Sequence, residues 1–170
     1  MLIKMIMTRI LIEGGILTLL FCGVAVGILY FRPRISLSDY PEDVKAIVPP
    51  RTKNELLVGI IITIPLLFLG VIIPLHSVWL LKVQNNGILT YWMSFITIFG
   101  EYFFFSMFDL IVLDMWMFCK WTPKFLVLPG TEGMAGYKNY KPHIKTQLFQ
   151  GNILLIVLSA FLAIFPILLY

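Results

Sequence analysis

Four long apolar stretches, separated by polar segments, dominate the pattern along the 170-residue chain. A membrane-crossing helix needs about 20 mostly apolar residues, and each stretch meets that length. The third stretch is over-long, because at 1.5 Å per residue it reaches about 48 Å against a hydrocarbon core of about 30 Å. The pattern predicts an all-α, four-transmembrane-helix bundle in one membrane domain, with spans over about residues 10–31, 56–81, 88–119 and 153–170.

The first polar segment, residues 32–55, has the pattern of a short helix from about Tyr40 to Ile47. Asp39 and Glu42 have the three-residue spacing of a capping box. The helix is expected to end before Pro49, because the residue that precedes a proline disfavours helical backbone. We expect this helix to lie in the membrane interface.

The second long polar segment, residues 120–152, is too long for a plain connection. Its pattern predicts a strand-like run at 125–128 and a turn at 129–133. Glycines, Thr131 and nearby lysines leave two interpretations of that turn. One is a phosphate cradle of backbone N–H groups. The other, which we favour because no P-loop pattern is present, is a tight turn whose lysines face anionic headgroups.

Composition excludes two classes of protein. Hydrophobic residues make up 59% of the chain and charged residues 13%, whereas soluble domains average about 45–50% and about 25%. The chain is therefore neither a soluble globular domain nor a disordered one. Its net charge of +4 would suggest nucleic acid in a soluble protein. In so apolar a chain we expect membrane lipids as partners and no nucleic acid.

The lysines and arginines are distributed unevenly between the two ends of the predicted bundle. Three lie at the end that holds the N-terminus, and ten lie in loops 1 and 3. The positive-inside rule therefore predicts a structured cytoplasmic cap formed by these loops, with both termini outside the cell membrane. Two aromatic belts agree with this orientation: Trp79 and Trp92 at the outer boundary, Trp116 and Trp121 at the inner one.

The first apolar stretch has a second interpretation, a cleaved signal peptide with a basic start and small residues before Gly27. We expect a retained helix, because the apolar run continues to Phe31. Cys22 and Cys119 lie at different depths, so no disulfide is expected between them. No Cys/His spacing indicates zinc, and we expect no cofactor.

Prolines and glycines inside the spans predict how the helices pack. Pro65 and Pro74 each remove a hydrogen bond from the second span and free a carbonyl for a neighbouring helix to satisfy. Gly23 and Gly27 form a GxxxG pattern. That pattern predicts close packing within the bundle or against a second subunit, either in a homo-oligomer or with a partner membrane subunit.

Two aspartates lie in the inner half of the third span, Asp114 near its inner end and Asp109 near the midplane. An ionisable residue inside a span costs about 3 kcal/mol and usually has a partner or a function. Asp109 and Asp114 are five residues apart, about 140° around a regular α-helix, so we do not expect both to face one ligand. Asp114 is also a candidate tether to the third loop. The candidate binding or proton-handling site combines the pair with Lys120, Lys124, Glu132 and His143.

A weaker candidate site lies near the outer boundary, where Glu13, His76 and Glu101 fall at similar depths on three helices. Two carboxylates and an imidazole can bind a divalent cation or relay a proton. The alternative is structural. Glu13 follows Arg9 by four residues, the spacing of a helical ion pair, and His76 lies near Trp79 as an interfacial side chain.

Three motifs resemble a known family. They are Phe108–Asp114 (FDLxxLD), Thr122–Gly133 (TPxFxxxPGTEG) and the spaced residues Tyr137, Tyr140 and His143. Together they resemble an uncharacterised family of small bacterial four-helix integral membrane proteins. The resemblance implies the fold and a location in the cell membrane, and it assigns no activity.

Three functions are consistent with these patterns. The first is a binding or enzymatic site for a lipid headgroup or other amphiphile at the cytoplasmic membrane boundary, built on Asp109 and Asp114. The second is a small ion- or proton-coupled transporter that uses Asp109 and Glu101. The third is an accessory membrane subunit whose charged groups fix assembly. No nucleophile–base pair is identifiable, so the question of enzymatic activity stays open.

Overall fold

The structure is a computed structural model that describes residues 1–169. Those residues form helices and turns and contain no strand. Two π-helical segments continue α4 and α5, and we call the first of them, Asp109–Trp121, the π segment. In chain order the elements are α1 (Leu2–Phe31), a 3₁₀ turn (Pro33–Asp39), α2 (Glu42–Ile47), α3 (Lys53–Gln84), α4 (Tyr91–Phe108), the π segment, a 3₁₀ turn (Ala135–Lys138), α5 (Tyr140–Lys145), a π turn (Thr146–Gly151), α6 (Asn152–Leu162) and α7 (Phe165–Leu169).

Four helices are long and apolar enough to cross a membrane, which confirms the predicted all-α fold with four helices of membrane-spanning length. They cover Leu2–Phe31, Lys53–Gln84, Tyr91–Trp121 and Tyr140–Leu168. The first, second and fourth are longer than the predicted spans because helical backbone continues into the polar flanks, whereas the third begins three residues later than predicted. The difference is largest in the fourth, which begins at Tyr140 instead of near residue 153. The predicted end of that span, Tyr170, lies outside the described residues.

The outward surface of the bundle is apolar. Along α3, isoleucine, leucine and phenylalanine side chains are exposed over most of the helix. The tryptophans near the helix ends are exposed as well, at 40% for Trp79, 67% for Trp92, 51% for Trp116 and 57% for Trp121. So large an apolar surface suits contact with lipid better than contact with water.

Small residues determine how closely α1 approaches α4, the central helix of the bundle. A Cβ atom on Gly14 would lie 3.3 Å from the Cα atom of Glu101, and a Cβ atom on Gly100 would overlap the side chain of Ile10. By contrast, a Cβ atom on Gly23 or Gly27 would have nothing within 4 Å in the described chain. The GxxxG pattern therefore does not pack within this bundle.

A hydrogen bond from α4 compensates for a proline in α3. Pro74 has no N–H to donate to the carbonyl of Gly70, one turn earlier in the helix. The hydroxyl of Tyr102 donates to that carbonyl at 2.7 Å, and both residues are buried. The neighbouring helix thus replaces the missing donor, and α3 continues through the proline.

The connections that follow α1 and the π segment pack against each other at one end of the bundle. The Tyr40 hydroxyl donates to the Leu126 carbonyl at 2.7 Å, and the Gly136 N–H donates to the Asp43 carboxylate at 2.9 Å. These contacts join segments that lie far apart in the sequence. We call the resulting structure the loop layer, which comprises residues 32–52 and 122–139.

The strand-like run predicted at 125–128 is wrong, because these residues form turns. The Leu126 N–H donates to the carbonyl of Pro123, and the Val127 N–H donates to that of Lys124. Leu126 and Leu128 are almost fully buried in the loop layer. Their apolar character therefore reflects burial in a turn, with no neighbouring strand in the described chain to pair with.

The short helix predicted after α1 is present as α2, but the residues that cap it differ from those predicted. Its N-cap is Pro41, with no side-chain cap, because Asp39 belongs to the preceding 3₁₀ turn. The capping box in this region is formed by Thr52 and Glu55 at the start of α3. Val44 is fully buried in the loop layer, so α2 packs its apolar face against protein.

Candidate functional site

A polar cavity of about 500 Å³ lies where the loop layer meets the helix bundle. We call it the loop-side cavity. Its wall combines residues from α1, the loop layer, the π segment and the start of the fourth long helix. Six aspartate, glutamate, lysine or histidine side chains line it: Asp39, Glu42, Lys45, Asp109, Asp114 and His143.

Asp109 and Asp114 both line the loop-side cavity. The backbone from Asp109 to Trp121 is π-helical. Hydrogen bonds in a π-helix join residues five apart, so positions i and i+5 lie close to the same face. The divergence of about 140° is expected for regular α-helical backbone, and it does not apply to this π-helical segment. Single π-helical turns occur frequently at functional sites.

Asp114 and His143 form an ionisable pair in the cavity that joins the π segment to the start of the fourth long helix. The Asp114 Oδ1 atom lies 3.2 Å from the His143 Nδ1 atom, so the expected tether to the third loop runs through His143. The imidazole also packs on the ring of Phe118, with 5.2 Å between the ring centroids. Because Nδ1 faces the carboxylate, Nε2 is the nitrogen left to exchange a proton. A carboxylate that orients an imidazole in this way suits proton transfer.

Asp109 is half-buried on the adjacent turn of the π segment and has no such partner. Among the hydrogen bonds and ion pairs of residues 1–169, none involves its carboxylate. The charged groups that act on it are Asp114, Asp39 and His143, which line the same cavity. Asp109 is thus the carboxylate most available to a ligand.

Asp39 enters the cavity from the loop layer, at the end of the first 3₁₀ turn. Removal of water by the surrounding protein raises the pKa of Asp39, and the charge of Asp114 acts in the same direction. A hydrogen bond from Ser38, at 3.3 Å, and the charges of Arg51 and Lys45 oppose that rise. The side chain nevertheless keeps contact with solvent, as expected at the mouth of a cavity.

Three residues of the predicted site lie elsewhere. Lys120 and Lys124 are exposed and do not line the cavity. Glu132 is exposed as well, and its carboxylate accepts a hydrogen bond from the Gly130 N–H at 3.2 Å, which stabilises a turn. The structure therefore separates the predicted site into Asp109, Asp114 and His143, which come together, and Lys120, Lys124 and Glu132, which do not.

The glycine-rich segment is a tight turn. Gly130 and Gly133 have φ values of +83° and +77°, a backbone conformation that glycine adopts without strain. Thr131 is fully buried, and its hydroxyl donates to the Leu128 carbonyl at 2.7 Å. The hydroxyl therefore points into the protein, which favours the turn over the phosphate cradle.

A second depression, of about 460 Å³, lies between α1 and α3 beside the loop-side cavity. Ile28 on α1 and Ile60 on α3 give it apolar walls. We call it the apolar groove. Three residues line both spaces and so mark where they adjoin: Ser36, Ser38 and Asp39.

The outer-layer candidates do not form one site. Glu13 is ion-paired with Arg9 at 2.8 Å, which is the structural alternative for that residue. Glu101 is fully buried and accepts a hydrogen bond from the Ser77 hydroxyl. His76 is exposed and stacks on a tryptophan of the same helix. Within residues 1–169, no three His, Cys, Asp or Glu side chains are arranged to hold a metal ion.

The sequence pattern does not identify Asp39, Glu42 and Lys45 as cavity residues. The spacing of Asp39 and Glu42 is visible, but the same spacing is typical of a helix cap. What brings these residues into the cavity is the packing of the first loop against the segment that follows the π segment, through the Tyr40–Leu126 and Asp43–Gly136 hydrogen bonds. A single sequence contains no local signal for that long-range contact.

Comparisons with protein-family models, with curated proteins and with solved structures find no match to this chain. The resemblance to small bacterial four-helix membrane proteins therefore stays a prediction. The function has to be argued from the geometry and charges of the site.

Proposed function

We propose that the protein binds a membrane amphiphile, with the headgroup in the loop-side cavity and the hydrocarbon chain in the apolar groove. The observation that carries the proposal is the adjacency of the two spaces, which share Ser36, Ser38 and Asp39. A lipid has the same division into a polar head and an apolar chain. The cavity, at about 500 Å³, also falls in the size range of small-molecule sites.

The charges of the cavity favour a headgroup with a positive charge, such as the ammonium group of phosphatidylethanolamine. Lys45 pairs with Glu42 at 2.7 Å. Three carboxylates, those of Asp39, Asp109 and Asp114, then remain against one histidine. An excess of carboxylates attracts a cation and repels an anion.

The proposed orientation places the loop layer on the cytoplasmic side of the cell membrane, as a structured cap, with both termini outside. Ten of the thirteen lysines and arginines lie in the loops at that end of the bundle, which supports this orientation. The apolar groove would then admit lipid from the inner leaflet.

The Asp114–His143 pair supports an enzymatic version of the same proposal. With Nδ1 held at 3.2 Å from the carboxylate, the imidazole has a fixed orientation and a free Nε2 atom. Such a group serves as a general base when its free nitrogen reaches a reacting proton. Binding alone requires only the charges of the cavity.

A small ion- or proton-coupled transporter is the second candidate function. It is supported by carboxylates at two levels of the bundle, Asp109 in the cavity and Glu101 in the buried interior. An accessory subunit has less support. That function predicts paired carboxylates without a cavity, whereas Asp109 lines a cavity and its carboxylate is unpaired within the described chain.

Native mass spectrometry tests lipid binding directly. Purified protein is mixed in detergent with phosphatidylethanolamine or phosphatidylglycerol, and the retained lipid is counted. We expect the wild type to retain phosphatidylethanolamine preferentially. Asp39→Asn and Asp109→Asn should each weaken retention roughly tenfold, because each removes a charge-assisted contact to the headgroup.

Glu132→Gln is the matched control, because it neutralises a carboxylate of the loop layer that does not line the cavity. It should retain phosphatidylethanolamine as the wild type does. A preference for phosphatidylglycerol, or equal retention by the wild type and Asp39→Asn, would contradict the proposal.

A further inference from the structure

The end of the bundle remote from the loop layer contains buried polar residues that amphiphile binding does not use. They are Arg9 and Glu13 on α1, Ser77 on α3 and Glu101 on α4, and we call them the remote cluster. Each is at least nine-tenths buried, with 9% of Arg9, 5% of Glu13 and 0% of Ser77 and Glu101 exposed. Side chains of this kind are rarely buried in a membrane bundle without a function.

Close helix packing brings the remote cluster together. Gly14 follows Glu13 directly, and a Cβ atom on Gly14 would lie 3.3 Å from the Cα atom of Glu101. From the other side, the Ser77 hydroxyl donates to Oε1 of Glu101. The Arg9–Glu13 ion pair, at 2.8 Å, lies within electrostatic range of Glu101.

The remote cluster contains polar atoms that no described residue satisfies. They are Oε2 of Glu101, Oε2 of Glu13 and Nε of Arg9. With both carboxylates ionised, two negative charges would face one guanidinium, and one negative charge would have no partner. Burying an unpaired charge costs far more than burying a neutral polar group. The cluster therefore needs one further positive charge.

We propose that Glu101 binds one proton and that the remote cluster is a proton-binding site, electrically neutral when this proton is bound. A proton needs one free carboxylate oxygen, which Glu101 offers as Oε2. A metal cation needs several oxygen ligands at once, and no three acidic, histidine or cysteine side chains of residues 1–169 are arranged that way. Release of the proton would leave a net negative charge where α1 packs against α4.

The elements around Glu101 offer few other titratable groups. On α1 the charged groups that act on Glu101 are Arg9 and Glu13, whereas Lys4 is exposed. On α3, Ser77 faces the carboxylate, whereas the adjacent His76 is exposed and the nearest lysine along that helix, Lys82, lies five residues beyond Ser77. The sequence of α6 has no charged or histidine side chain. The proton balance of the cluster therefore rests on one guanidinium and two carboxylates.

Infrared difference spectroscopy between neutral and alkaline pH tests this site. A protonated carboxyl group has a carbonyl band that is distinct from the bands of a carboxylate. Asp109 is a second partly buried acid, so the comparison is made in an Asp109→Asn background. We expect Asp109→Asn in detergent to lose such a band on alkaline titration and the double variant Asp109→Asn/Glu101→Gln to lack that change. A band change that persists in the double variant, or that is absent from Asp109→Asn, would overturn the proposal.

Ser77→Ala provides a second test that does not depend on replacing the glutamate. The Ser77 hydroxyl donates to Glu101, so its removal should shift the frequency of the carbonyl band without abolishing it. A band unaffected by Ser77→Ala would overturn the assignment to Glu101. Replacing choline chloride in the buffer with sodium chloride, at constant pH, should leave the carbonyl band unchanged. Its loss in sodium would identify a sodium site instead.

Discussion

At the scale of single residues, the two aspartates of the π segment differ in their partners. Asp114 is held by His143 at 3.2 Å, whereas Asp109 lines the same cavity without a hydrogen bond or ion pair in the described chain. A carboxylate that is already paired with another side chain of the protein holds that side chain in position. A carboxylate without a partner is available to a ligand. We therefore infer that Asp114 positions the imidazole and Asp109 contacts the ligand.

Asp39 should make stability depend on pH, and Asp39→Asn should remove that dependence. The pKa of Asp39 is raised in the folded protein, mainly by removal of water, so the folded state binds this proton more tightly than the unfolded chain does. The stability it contributes is complete below the ordinary aspartate pKa of about 3.9 and is lost as pH rises through the raised value.

Melting curves of lipid-free protein in detergent measure this effect. Because asparagine is uncharged at every pH, the melting temperature of Asp39→Asn relative to the wild type should rise as the pH increases through that window. A difference between the two proteins that is the same at every pH would contradict the assignment.

At the scale of elements, the sequence is sufficient to predict the four long helices but not where irregular backbone occurs. Helix number follows from apolar length, because backbone groups in lipid must be hydrogen-bonded within the segment. The π segment has no such signal, since Asp109–Trp121 is as apolar in pattern as a regular helix. The same limit explains the strand-like run at 125–128, where apolar residues are buried by contacts with distant parts of the chain.

The sequence is likewise sufficient to predict some residues of the candidate site but not all of them. Asp109 and Asp114 are identifiable because charge is scarce in an apolar chain, so each ionisable residue in a span is conspicuous. His143 is identifiable only as a candidate partner of Asp114 from the third loop. Asp39 lies in a loop that is rich in polar residues, so the sequence does not distinguish it from an ordinary exposed aspartate. Its place in the cavity depends on tertiary packing that brings the first loop to the same cavity as His143, about a hundred residues away in the sequence.

The contact between Tyr102 and α3 provides a prediction at this scale. Tyr102→Phe should lower the free energy of unfolding by about 0.5–1.5 kcal/mol, because the Gly70 carbonyl loses its donor. Pro74→Ala restores a backbone N–H one turn after Gly70. In the Pro74→Ala background, Tyr102→Phe should lower the free energy of unfolding by less. A double-mutant cycle, measured by titration with a denaturing detergent, gives the difference.

Tyr91→Phe is the control for this cycle. The Tyr91 hydroxyl donates to the carbonyl of Ala160 at 3.2 Å, away from Pro74. Removing this hydroxyl should lower the free energy of unfolding by the same amount whether position 74 is proline or alanine. Equal costs for Tyr102→Phe in the two backgrounds would show that the tyrosine does not compensate for the proline.

At the scale of the whole molecule, the two ends of the bundle differ in how far their charged side chains are exposed to solvent. The loop layer surrounds a cavity in which Asp39 keeps contact with solvent. The remote cluster encloses Glu101 completely and leaves polar atoms without partners. Headgroup binding at one end and proton binding at the other would place two chemically different sites on one central helix, α4 with its π segment.

The orientation of this arrangement in the membrane can be measured by cysteine labelling. Lys124 in the loop layer and Gln84 at the end of α3 are both exposed, and they lie at opposite ends of the bundle. The native Cys22 and Cys119 are buried, which keeps background labelling low. Because ten of the thirteen basic residues lie on the loop-layer side, an impermeant maleimide should label Gln84→Cys in intact cells and Lys124→Cys only after permeabilisation. The reverse result would place the loop-side cavity outside the cell, where the inner-leaflet lipid proposed as its ligand is absent.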